Sequence, residues 1–178
     1  NLDEAYSMSR EVSADQNPDT LHQESQKITF STIKEALKER FRMEEISRLG
    51  NVHLIYPAFN STFFREFISK ELAELALRFQ PIFPGQLTFS TSVQEMLFEE
   101  GVTASQGFRP LRSSIRLLVE SSLVTLMQAA GFPQLEALYV DMQGDDLVLL
   151  WEDRILAQKT LYLPVREAKR RKMNPQSL

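Results

Sequence analysis

The chain has 178 residues, 43% hydrophobic and 25% charged, with a net charge of -4 and no cysteine. That size suits one packed domain with an extension, and that composition excludes a disordered or fibrous chain as a whole. The acidic balance argues against nucleic-acid binding, which relies on Lys and Arg displacing counterions, and the lack of cysteine excludes disulfides, thiolate metal sites and a thiol nucleophile.

Residues 1–27 are polar and acidic, with Asn17-Pro18 as a turn signal and no sustained apolar period, so they are expected to be irregular or mobile. From Ser31 the spacing Ile33, Leu37, Phe41 behind a Ser or Thr cap predicts a short amphipathic helix. The run Val52-His53-Leu54-Ile55-Tyr56, closed by Pro57, suits a short buried strand or an extended connector. A longer helix follows Asn60 to Thr62 and keeps Phe64, Phe67, Ile68, Leu72, Leu75, Ala76 and Phe79 on one face until Pro81.

Pro84-Gly85 turns the chain into a strand-like Leu87-Thr88-Phe89, and Ser90 or Thr91 caps a helix with Val93, Met96 and Leu97 that Gly101 is expected to end in a left-handed cap. Pro110 to Ala130 is the clearest helix: Pro lies in its first turn, Gly131 follows its end, and Leu111, Ile115, Leu118, Ser122 and Leu126 form a stripe. Ala137 to Met142 and Leu147 to Trp151 flank Gln143-Gly144-Asp145 as a hairpin, and Thr160 to Val165 offers a further strand. The acidic leader and the basic run Arg166, Lys169, Arg170, Arg171 and Lys172 read as solvated ends. The expected class is α+β, helices packed against a small sheet.

No self-contained active site can be assembled from these residues. Gly101 and Gly107 have five residues between them rather than four and are followed by Phe108 rather than Lys, so they form no phosphate loop. His22 and His53 have no metal-ligand spacing, and the serines near Ser121 have no nucleophile-elbow context. The absence of an apolar run of about 18–20 residues argues against a membrane span, and a cytoplasmic setting is expected. Arg109 is different. It lies between Gly107-Phe108 and Pro110-Leu111, where a flexible and a rigid residue fix how its side chain leaves the backbone, and an Arg fork near a helix start suits phosphate. A surface Arg pairing locally is the plainer alternative.

Gly107-Phe108-Arg109-Pro110-Leu111-Arg112, with Gly101 before it and Ile115, Val119-Glu120 and Leu123 after it, resembles the Clp/ClpB-type AAA+ signature Gly-Ala-Arg-Pro-Leu-Arg and its long helix. Upstream, Phe41-Arg42-Met43-Glu44-Glu45-Ile46-Ser47-Arg48-Leu49-Gly50-Asn51-Val52, then Tyr56-Pro57, is similar to the family's Phe-x-Pro-Glu-Phe-x-Asn-Arg-Ile-Asp-x-Ile and Phe-x-Pro-Leu. The resemblance runs from about Thr29 to Leu150. It departs at Gly50, where the family has Asp, at Val102-Thr103-Ala104, where it has Tyr-Asp-Pro, and at Phe108, where it has Ala.

The resemblance implies the carboxy-terminal part of the last AAA+ module: the tail end of the large domain over 1–57, the small lid domain over 58–165 and a basic tail over 166–178. It implies that Arg109, following Gly107, is the second sensor reaching nucleotide phosphates, that Arg48 is the arginine finger offered to a neighbouring subunit, and that Asn1 ends the first sensor. ATP or ADP with Mg would serve the full-length parent, with no cofactor expected on this chain alone. Self-association in a ring and protein clients are the implied partners. A peptidase partner is not expected, because residues 1–41 contain no Gly and hence no Ile-Gly-Phe-type docking tripeptide. A degenerate, non-hydrolysing scaffold of the same fold is the alternative. A third possibility is an acidic or nucleic-acid partner for Arg166 to Lys172.

Overall fold

The computed structural model describes residues 17–48 and 53–173, so Asn1 and Gly50 lie outside it. The chain divides into two units, one of Asn1–Phe63 with Thr103–Gly107 and one of Phe64–Val102 with Phe108–Leu178.

Among its described residues the first unit carries three short α-helices. Helix α1 (Pro18–Ser25) opens on a pair of signals: the Asn17 side chain accepts from the Asp19 amide at 2.9 Å, and Pro occupies the first helical position, where a missing N–H costs nothing. A helix therefore replaces the irregular stretch expected over residues 18–25. Helix α2 (Phe30–Lys38) starts at the Thr29 cap and buries Ala36, and α3 (Met43–Ser47) buries Ile46. The run beginning at His53 forms no strand. It is extended through Asn60, with Leu54 74% and Tyr56 80% exposed. It is a connector, because no neighbouring strand supplies partners for its backbone.

The second unit holds the hydrophobic core. Helix α4 (Ser61–Phe79) begins in the first unit, where Asn60 Oδ1 accepts from the Phe63 amide at 3.0 Å, and in the second it buries Phe64, Ile68, Leu72, Leu75 and Phe79 on one face. Fully burying each such side chain stabilises by about 1.5–3 kcal/mol. Strand β1 (Gln86–Phe89) leads to α5 (Thr91–Gly101), capped by Ser90 Oγ on the Val93 amide at 3.1 Å.

A continuous helical stretch then runs as α6 (Phe108–Ser114), a π-helical segment Ile115–Glu120 and α7 (Ser121–Ala129). The wider π turn brings Val119 fully into the core and leaves Leu118, expected on the stripe, only partly buried. The stretch ends in a Schellman motif: the Phe132 amide donates to Met127 O at 2.9 Å, the Gly131 amide to Gln128 O at 3.0 Å, and Gly131 has φ 70°.

Strands β2 (Ala137–Gln143), β3 (Asp146–Trp151) and β4 (Arg154–Thr160) complete a sheet of order β1-β2-β3-β4. β1 runs parallel to β2, and the other two pairs are antiparallel. The hairpin closes at Gly144, with φ 65° and Gln143 facing Asp146. Helix α7 lies against β3 and β4, and α5 against β2. The architecture is mixed helix and sheet, as the pattern of elements predicts.

Two expectations change in this unit. Gly101 is not a left-handed cap; it ends α5 where the helical stretch beginning at α6 passes so closely that a Cβ would stand 2.9 Å from Leu111 Cδ1 and 3.0 Å from Ser114 Cβ. The strand expected over Thr160 to Val165 lies earlier, as β4, because Pro164 starts a helix instead. That helix, α8 (Pro164–Met173), takes up the basic run that read as a solvated end. The Glu100 carboxylate accepts from the Val165 and Arg166 amides at 3.0 and 2.8 Å, Arg166 Nε donates to Glu99 at 2.7 Å, and Arg170 grips Asp145 through two bonds of 2.5 and 2.8 Å. The run is solvent-facing as expected, with no buried residue, and its counter-charges come from α5 and the hairpin turn, distant in sequence.

Replacing Gly101 by Ala is expected to lower stability by about 1–3 kcal/mol through overpacking, read from denaturant unfolding of this chain. The gain of about 0.5–1 kcal/mol usual for Gly→Ala inside a helix would refute the close-approach account. A second prediction concerns α8. Partial burial pushes the Glu99 carboxyl up, but the hydrogen bond from Arg166 and the charges of Lys169 and Arg166 outweigh it and hold it below its ordinary value. The Asp145 carboxyl is likewise held down, chiefly by the hydrogen bond from Arg170. Depressed carboxylates contribute stability that is present above their unfolded pKa of about 4 and lost as pH falls through the lower folded value. Amide exchange at Val165 and Arg166, corrected for intrinsic rate, should therefore lose protection between pH 5 and about pH 3 before the sheet does; simultaneous loss would show that these pairs do not hold α8.

Candidate functional site

The motif around Arg109 is shaped first by Gly107. Its φ of 63° and ψ of -143° are open to glycine and strained for other residues, and it pairs with Thr103 in an isolated β-bridge around the short turn Ala104–Gln106. The chain leaves this bend as α6, whose residues Phe108, Leu111 and Arg112 are spaced to share one helical face. Leu111 is fully buried against Gly101. The Phe108 ring stacks on Phe67, with centroids 4.4 Å apart and planes 15° apart, and meets Phe64 edge-on at 5.3 Å.

Arg112 is committed to the fold. Its Nη2 and Nε donate to Glu71 Oε1 at 2.6 and 3.2 Å, and its guanidinium lies 5.2 Å from the centre of the Phe67 ring. Glu71 is buried on α4, so the pair neutralises a carboxylate that would otherwise be costly there. Arg112 in turn is held further toward its charged form by the hydrogen bond and charge of Glu71.

Arg109 contrasts with it. It lies in the first turn of α6 and is exposed; its carbonyl accepts from Ser113 Oγ at 3.2 Å, and its guanidinium is in no ion pair among the described residues. Two arginines three residues apart therefore have different environments, one paired beside a buried acid and one unpaired and open to solvent.

Arg48 belongs to the other unit. It is the C-cap of α3, with φ -71° and ψ -15°, its amide donates to Glu45 O at 3.2 Å, and its side chain is exposed without an ion pair among the described residues. Asn1 lies outside the described residues. Thus Gly107, Phe108 and Arg109 are contiguous at one surface bend, while Arg48 is placed on a separate element.

Sequence reading missed the fastening of the connector that precedes α4. One face of α1 presents Asp19, His22 and Ser25 to it. Asp19 accepts from the Ser61 amide and hydroxyl, each at 2.8 Å; Ser25 Oγ accepts from the Ala58 amide at 2.9 Å; and His22 Nδ1 lies 2.5 Å from Ala58 O. This makes His22 a structural histidine donating from Nδ1. His53 stacks on Phe30 at 3.8 Å, equally a packing role. The only signal for the clamp was the Asn17-Pro18 start; its partners lie more than 30 residues downstream.

Among the described residues, no group of His, Asp and Glu side chains is assembled that could hold a metal ion, and no helix is long and apolar enough to cross a membrane. A nucleotide's phosphates fit the solvent-facing guanidinium of Arg109, but these residues offer it no backbone cradle.

No protein-family model matches the chain. The ClpA homolog of Porphyra purpurea, an ATP-binding subunit of the ATP-dependent Clp protease, is 32% identical over 126 residues, covering 68% of this chain and 15% of that protein. The homolog from Pyropia yezoensis is 31% identical over 126 residues with the same coverage, and the chloroplastic chaperone protein ClpC of Pisum sativum is 28% identical over 127 residues, 67% of this chain and 13% of that protein. The chain thus spans about 15% of the length of the relatives it matches. The chloroplast named for the pea relative differs from the cytoplasm expected from the sequence. With this similarity carried over two thirds of its length, the chain belongs to the Clp-type AAA+ ATPases.

Proposed function

We propose that this chain is the lid and subunit-interface region of a Clp-type, ATP-driven protein unfoldase or chaperone, taken from the carboxy-terminal part of its last AAA+ module. In this reading residues 1–57 end the large domain, 58–165 form the small lid domain, and nucleotide is held mainly by other segments of the parent. The observation that carries the proposal is the difference between the two motif arginines: Arg112 is tied to Glu71, whereas Arg109 stands exposed and unpaired at a bend that Gly107 permits.

A guanidinium on a rigid helical turn, in no ion pair among the described residues, is suited to bidentate contact with phosphate. Arg109 would meet phosphates bound in the same subunit, as a second sensor. Arg48, exposed at the end of α3, would be presented to the neighbouring subunit as an arginine finger, stabilising charge that develops during phosphoryl transfer. ATP with Mg, held by other segments of the parent, would supply the γ-phosphoryl group, with ADP as the product. Asn1 would close the first sensor. Self-assembly into a ring follows from the need for Arg48 to act in trans, and protein clients from the family. Residues 1–41 contain no Gly, which supports a parent without peptidase docking.

A second reading, a scaffold that retains the fold without hydrolysis, is favoured by one observation: Gly50 replaces the acidic residue that follows the finger in the family. In the full-length parent, Arg109→Ala and Arg48→Ala are each expected to reduce ATP turnover at least about tenfold, measured as phosphate release at saturating ATP. Unchanged turnover in both variants would defeat the assignment, and a parent that assembles but releases no phosphate would select the scaffold.

A further inference from the structure

Between the bend at Gly107 and the core, the first turn of α6 is fastened at three points. Phe108 is stacked on Phe67 and edge-on to Phe64; Leu111 is wedged against Gly101; Arg112 is bonded twice to Glu71 and lies over Phe67. Phe67 is common to the first and third fastenings, which links the aromatic stack and the ion pair into one assembly on α4. Arg109 lies between these anchors; both motif arginines are exposed, and Arg109 is the one in no ion pair among the described residues.

We infer that Glu71, with Phe67, Phe108 and Arg112, is a positioning assembly that fixes the direction in which Arg109 is presented. This rests on the reading of Arg109 as a phosphate-sensing residue. Three physical points support it. A helix turn held at positions i, i+3 and i+4 has little freedom to rotate, so the residue at i+1 leaves along one direction. The Glu71 carboxylate is buried on α4 and bonded to Arg112, so separating the pair would leave a buried acid without its counter-charge. The ring at Phe108 gives a stacked contact to Phe67 that a methyl group could not, so the change from the family's Ala is matched by packing on this chain's own α4. Glu71 and Phe108 touch no nucleotide in this scheme; they act through Arg109.

A double-mutant cycle in the full-length parent tests it, with equilibrium ADP binding and thermal midpoint as paired readouts. Arg109→Ala alone should weaken ADP binding; if it does not, the reading of Arg109 fails and this inference falls with it. Given that loss, Glu71→Gln is expected to weaken ADP binding about fivefold when Arg109 is present and to have no effect on binding when Arg109 is Ala, the coupling usual for residues within one network. Its effect on the thermal midpoint should be equal in both backgrounds. An equal loss of binding in both backgrounds, or no loss in either, overturns the positioning role while leaving Arg109 as a phosphate ligand. Phe108→Leu, which keeps apolar volume and removes the stacked ring, gives the same cycle from the aromatic side should Glu71→Gln fail to assemble.

Discussion

The seating of α6 on α4 and on the end of α5 is the constraint from which the rest of the second unit follows. Leu111 fits because residue 101 has no side chain, Phe108 because α4 offers two rings a turn apart, and Arg112 because α4 also buries a carboxylate within its reach. Apolar packing, aromatic stacking and a partly buried ion pair are thus concentrated on about one helical turn. The π segment that follows lets the same helical stretch continue into the core with Val119 and Leu123 facing inward, and α7 carries that face onto β3 and β4.

The first unit is organised on a different principle. Its helices are short and bury few apolar side chains, and the connector toward α4 is held by side-chain to backbone hydrogen bonds from Asp19, His22 and Ser25. Each such bond contributes about 0.5–1.5 kcal/mol net, so this unit depends on polar geometry where the second depends on packing. Leu54, Tyr56 and Phe41 are exposed in this unit.

The pairing of a committed arginine with an uncommitted one gives the motif its functional character. Arg109 and Arg112 have the same chemistry and nearly the same place in sequence, yet one neutralises Glu71 and the other faces solvent. Helical spacing makes them neighbours; what separates them is that the Glu71 carboxylate is bonded to Arg112.

Local signals in the sequence determined the elements that obey them: the Thr29 and Ser90 caps, the single apolar face of α4, the glycine at the end of α7 and the Gly144 hairpin are each set by residues adjacent in the chain. The motif that carries Arg109, and the family resemblance with it, was legible for the same reason. Tertiary structure alone decided that Gly101 serves close approach, that the basic run is a docked helix, that His53 to Asn60 remains a connector, and that Arg112 is tied to the fold while Arg109 stands unpaired. Each of these depends on a partner ten or more residues away, Leu111 for Gly101, Glu99 and Asp145 for α8, the helix α1 for the connector and Glu71 for Arg112. Period and punctuation report what a residue's neighbours in the chain allow; they are silent on which distant charge or ring the fold brings to it.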